Sequence, residues 1–179
     1  RPICAAQMEG APVWGRDGTI LFSELRQGIY RVPSAGGTPS PVTQIDRAKG
    51  ERSHLFPQFM PDGRHFIYMA TVADATGQRA TPGVHLASFD SSDVSLLTQM
   101  DSRVMFAPPG HLLFVQDGAL LAQEFDTVRF RLIGEPTQIA EDVAYFRTLG
   151  NGAFSVSDNG VLAYQGSGNS FSLAWYDRS

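Results

Sequence analysis

Phe56-Pro57-Gln58-Phe59-Met60-Pro61-Asp62-Gly63-Arg64-His65-Phe66-Ile67-Tyr68-Met69 is the stretch that decides the fold. Two apolar, strand-like runs meet at Asp62-Gly63. Asp-Gly between alternating hydrophobics is a strong hairpin signal, because glycine takes a positive φ without steric cost. The pattern recurs around Asp17-Gly18, around Pro109-Gly110 and around Asn159-Gly160. The turn glycines Gly18, Gly63, Gly110 and Gly160 stand 45, 47 and 50 residues apart. Trp14, Phe59, Phe106 and Val156 hold the equivalent apolar position, three residues before the Asp or its counterpart. Strands and turns repeating every ~40–50 residues are the mark of β-propeller blades, each a four-stranded sheet.

Each copy is followed by a second apolar run and a polar hairpin, for example Gly28-Ile29-Tyr30-Arg31-Val32 and then Gly36-Gly37. The expected architecture is all-β: about four blades of four antiparallel strands, over residues 11–45, 54–99, 103–141 and 152–179. The last blade lacks an outermost strand. Residues 1–7, with Ile3-Cys4-Ala5, are expected to form the outer strand of a neighbouring blade or of the last one, closing a ring. The alternatives are a segment cut from a longer propeller, or a half-ring that a second copy completes as a homodimer. Thr71–Pro82 reads as a long solvated loop between two strands. Trp14, Phe22, Phe59, Phe66, Phe106, Phe114 and Phe154 read as core, filling the gaps between packed sheets.

Composition narrows the functions. Eighteen Gly and 11 Pro with only 18% charged residues suit short strands and tight turns. A net charge of −4 offers no basic footprint for nucleic acid. No apolar run approaches the ~20 residues that span a bilayer, so no membrane insertion of this segment is expected. Cys4, the single cysteine, excludes an internal disulfide and a cysteine-based zinc site.

The residues also resemble a known family. Trp14–Phe22 is similar to the innermost strand pair of TolB-type, WD-repeat-like propellers. Gly28–Pro33 with Gly36-Gly37-Thr38-Pro39, Ser53-His54, Pro57–Phe66 and the closing Trp175-Tyr176-Asp177-Arg178-Ser179 resemble the propellers found C-terminal to bacterial serine/threonine kinases. The resemblance covers essentially the whole chain. It implies a full propeller with more blades than this chain holds, and a place outside the cytoplasmic membrane. No kinase motif occurs: there is no Gly-rich loop with a following lysine strand, no His-Arg-Asp and no Asp-Phe-Gly.

A search for chemistry finds no Gly-x-Ser-x-Gly elbow, P-loop, dinucleotide fingerprint or His-Glu-x-x-His. No cofactor is expected. Nine residues before each turn glycine stand Glu9, His54, Asp101 and Asn151, all polar. In a propeller the loop entering each innermost strand lies at the channel mouth, where ligands bind. With Arg52, Ser53, Ser102 and Arg103 they form a candidate ring that recognises a protein or a small molecule. The plainer reading is that water makes such residues polar, and that His54 only ties its loop to the neighbouring blade. The functional expectation is a non-enzymatic binding or scaffold module from the sensor-like region of a receptor kinase. The alternatives are a propeller lyase or hydrolase with its site around His54, and a structural half-propeller that self-assembles.

Overall fold

The computed structural model describes residues 2–168, so the strand expected over Phe171–Tyr176 lies outside the described residues. The chain divides into two compact units, residues 1–100 and 101–179.

In the first unit, β1 (Val13–Trp14), β2 (Thr19–Ser23), β3 (Ile29–Pro33) and β4 (Ser40–Pro41) form one antiparallel sheet in chain order. A second sheet follows, made of β5 (Glu51–Phe59), β6 (His65–Ala73), β7 (Arg79–Ser88) and β8 (Val94–Gln99). Strand β2 is apolar on both faces, as a strand between two packed surfaces must be. Leu21 joins Ile29, Phe66, Tyr68, Ala70 and Ala87 in one core, while Ile20 and Phe22 pack with Val32, Ile3 and Cys4 in another.

The Asp-Gly turns work by a division of labour. Gly63 and Gly18 take φ of 68° and 85°, and their N–H groups donate back to Met60 O and Gly15 O. The aspartate contributes its side chain rather than a positive φ: Asp62 Oδ1 accepts from Arg64 N and His65 N, and Asp17 Oδ1 from Thr19 N. Such Asx capping makes each hairpin tip self-sufficient in hydrogen bonds. Asp74 does the same for Thr76 N and Gln78 N. The loop expected over Thr71–Pro82 is accordingly a tight turn, and β6 and β7 run on into it.

Two further expectations are corrected. Residues 2–7 form no strand; the segment is fastened to the first sheet, through Gly37 N to Ile3 O, Leu25 N to Gln7 O and a bridge between Met8 and Glu24. Apolar Ile3 and Cys4 settle on Ile20, Phe22 and Val32, and that burial outweighs pairing elsewhere. Trp14 is not core: it is 63% exposed, on the two-residue strand β1 at the edge of its sheet. Phe22, Phe66, Phe106, Phe114 and Phe154 are buried and Phe59 is half-buried.

In the second unit, β9 (Met105–Ala107), β10 (His111–Gln116), β11 (Ala119–Asp126) and β12 (Arg131–Ala140) form a four-stranded antiparallel sheet with β9 and β12 at its edges. Two strand pairs follow, β13 (Tyr145–Phe146) with β14 (Asn151–Gly152) and β15 (Phe154–Val156) with β16 (Leu162–Tyr164). Leu113, Val115, Leu120, Val143 and Phe154 form the core of this unit. The long strand β12 is broken at Gly134-Glu135-Pro136, where the register with β11 shifts between Ala122 and Glu124 and Gly134 takes a φ of 62°.

Phe66 is fully buried and Trp14 mostly exposed, so the two aromatics should behave differently on truncation. Phe66→Ala is expected to cost about 3–5 kcal/mol, the range for buried aromatics, whereas Trp14→Ala should cost below about 0.5 kcal/mol. Urea denaturation midpoints of the two variants check this.

Candidate functional site

A strand normally sends residues i and i+3 to opposite faces. Glu51 and His54 nevertheless meet, because the pairing of β5 with β6 is irregular between Glu51 and Ser53, and the extra residue brings both side chains to one side. The result is a buried relay. His54 Nε2 lies 3.1 Å from Glu51 Oε2, and His54 Nδ1 lies 2.7 Å from the Thr43 hydroxyl. His54 is 1% exposed and Thr43 7%.

The surroundings fix the proton positions in the neutral ring. A carboxylate oxygen only accepts, so Nε2 carries the hydrogen and donates it to Glu51. Nδ1 is then an acceptor, and the Thr43 O–H donates to it. The same Thr43 oxygen accepts from Ile29 N–H at 2.8 Å. Glu51 is itself held, since its Oε2 accepts the Asp46 N–H at 2.6 Å. Asp46 caps the short 3-10 turn Arg47–Lys49, accepting from Ala48 N and Lys49 N. Burial holds the His54 imidazole below its ordinary pKa of 6.5, against an opposing pull from Glu51. The ring stays neutral in neutral water, which suits a proton acceptor.

Thr43 forms part of the wall of a small cleft of about 220 Å³, with Arg26, Gln27, Gly28, Tyr30, Gln44 and Arg47 around it. Glycine is required at position 28, since a Cβ there would fall 2.1 Å from the Thr43 carbonyl oxygen. His54 N–H donates to Gln27 O at 3.0 Å, which ties the second sheet to the loop ahead of β3. Aromatic contacts back the relay from inside the unit: Tyr68 sits 4.6 Å from the His54 ring and stacks on His85 at 5.4 Å.

The residues singled out from the sequence divide between the two units. In the first unit Ser53, also buried, donates its hydroxyl to Glu9 Oε2 at 3.1 Å, and Arg52 is exposed. His54 is sealed inside the unit instead of projecting into an open funnel. In the second unit Asp101 is exposed, while Arg103 and Asn151 form parts of one pocket of about 620 Å³. Ser102 is fully buried, its hydroxyl accepting Val115 N–H and donating to the Arg103 carbonyl oxygen. Thr43 and Glu51 escaped notice in the sequence. The spacing of Glu51 and His54 points to opposite faces of a strand, and only the irregularity unites them.

His54 gives a pH signature. Its folded pKa lies below 6.5, so the unfolded chain binds more protons in the window just under that value. The stability contribution of neutral His54 is therefore complete above about pH 6.5 and declines as the pH falls below it. Thermal melts between pH 8 and pH 5 should show a shallower acid loss for His54→Gln than for the parent; equal slopes would contradict the burial.

No family of known proteins matches the chain by sequence profile, and no curated protein matches it by sequence. Solved structures do. A calcium-binding protein, regucalcin, from Agrobacterium tumefaciens superposes with a TM-score of 0.57 at 13% identity, over 87% of this chain and 52% of that one. A luciferin-regenerating enzyme gives 0.59 at 9%, over 89% and 54%. A puromycin-hydrolyzing peptidase from Mycobacterium tuberculosis gives 0.55 at 15%, over 93% and 36%. The chain thus spans about half the length of the first two. Among the described residues no group of three or more His, Cys, Asp or Glu is placed to hold a metal ion. None of the three is by name a TolB or kinase-associated protein. The expectation of a non-enzymatic module is corrected, since two of the three are enzymes by name, a luciferin-regenerating enzyme and a peptidase. With its four-stranded antiparallel sheets in chain order, this chain has the β-propeller fold.

Proposed function

We propose that the chain is the site-bearing part of a propeller hydrolase acting on an ester or amide, with His54 as its general base. One observation carries this reading: the Thr43 hydroxyl, the His54 imidazole and the Glu51 carboxylate stand in line, at 2.7 and 3.1 Å. A hydroxyl–imidazole–carboxylate relay is the arrangement that nucleophilic acyl transfer needs, and it is recognised by geometry and roles rather than by chain order. The similarity in fold to a peptidase adds to it.

Each step uses groups already in contact. Thr43 Oγ1 attacks the substrate carbonyl carbon while His54 Nδ1 takes the hydroxyl proton. Glu51 steadies the imidazolium through Nε2–H and holds the ring in the required tautomer. The tetrahedral adduct collapses, and His54 returns the proton from Nδ1 to the departing alcohol or amine. Water, deprotonated by the same nitrogen, then releases the acid and restores Thr43. Arg26 and Arg47 at the cleft place positive charge beside the developing oxyanion.

The test is hydrolysis of p-nitrophenyl acetate and of an aminoacyl-naphthylamide, by the parent and by Thr43→Val, His54→Asn and Glu51→Gln. Loss of the base is expected to lower kcat at least 10²-fold, the usual range for a positioned acid–base group. His54→Asn that keeps its fold by circular dichroism and retains full turnover would overturn the proposal, as would a parent inactive on both substrates.

A further inference from the structure

Among the described residues of the second unit, Arg103 is a cation with no counter-ion. Arg103 precedes β9 and reaches across to β15, where its Nη2 donates to the Phe154 carbonyl oxygen and its guanidinium carbon lies 5.0 Å from the centre of the Phe154 ring. No carboxylate among the described residues pairs with it. Its Nε is buried without an acceptor, and so is the side-chain oxygen of Asn151 without a donor. Burial lowers the basicity of the guanidinium, with no charge partner acting on it.

Withdrawing a charge from water without a partner is costly, and arginine keeps its charge under all ordinary conditions. With one protein acceptor engaged among the described residues, the half-buried fork keeps donors available to a ligand. It lies in the pocket of about 620 Å³ described above, walled by Phe146, Phe154, Tyr164 and Asn151. That volume is within the ordinary range for small-molecule sites, which join apolar walls to a few placed polar groups.

We infer that the Arg103 pocket is a binding site for an aromatic monocarboxylate, its carboxylate paired with the guanidinium and its ring among Phe146, Phe154 and Tyr164. One guanidinium balances one negative charge. A dianionic phosphate would bring a second charge into a largely apolar wall, and the observations favour the carboxylate for that reason. Asn151 serves ligands that carry an N–H or O–H beside the acid. This inference does not rest on the Thr43–His54–Glu51 reading.

The experiment is calorimetric titration of the full chain with 3-phenylpropionate, 3-phenylpropionamide and phenyl phosphate, repeated on Arg103→Gln, Arg103→Lys and Phe146→Ala. Phe146 is largely exposed, so its truncation leaves the fold intact. The acid is expected to bind saturably and at least tenfold more tightly than the amide. Arg103→Gln should abolish that preference, Arg103→Lys should reduce it through loss of the bidentate fork, and Phe146→Ala should weaken acid and amide alike. Equal affinity for acid and amide would overturn the inference. So would an unchanged preference in a folded Arg103→Gln, tighter binding of the phosphate, or no binding of the acid. Should Arg103→Gln unfold, the comparison of ligands on the parent and on Phe146→Ala decides alone.

Discussion

His54 is the joint of the first unit. Its main-chain N–H reaches the loop ahead of β3, and its two ring nitrogens reach Thr43, the second residue after β4, and the first residue of β5. A single residue thereby closes hydrogen bonds inside an interior where an unmade bond is expensive. The neighbouring aromatics depend on it. Phe66, Tyr68 and the His54 ring form a continuous series of contacts leading from the core to the relay. The same burial that makes the joint firm makes the imidazole a neutral acceptor, so structure and chemistry draw on one cause.

The repeat was legible because turns write themselves plainly into a sequence. Gly18, Gly63 and Gly160 all take positive φ, whereas Gly110 does not, and its turn is the one in which Pro109 replaces the aspartate or asparagine. Short edge strands are less legible. Trp14 looks like a core residue by type and position, and only the two-residue length of β1 leaves it in water. The relay was half legible: His54 stood out by its place in the repeat, yet its partners come from an irregular pairing and from a threonine indistinguishable from any strand threonine. Register irregularities depend on what the partner strand does, and no local pattern encodes that.

The two pockets show a contrast in how polar groups are treated. Both ring nitrogens of His54 have partners, and the partners have partners of their own: Asp46 N–H for Glu51 and Ile29 N–H for Thr43. Around Arg103 the accounting stays open among the described residues, with Nε and the Asn151 oxygen unmet. A closed network holds a geometry, and an open one leaves interaction energy for something else to complete.

Strand β12 carries a last consequence. It is a ten-residue outer strand, exposed along most of its length, and a long outer strand is normally a template on which foreign chains can polymerise. The break at Gly134-Glu135-Pro136 disarms it. Proline supplies no N–H, glutamate sets a charge beside it, and the shifted register bends the row of hydrogen-bonding groups out of line. An arriving strand would find the ladder interrupted halfway, so this margin of the sheet resists amyloid-like growth while remaining open to water.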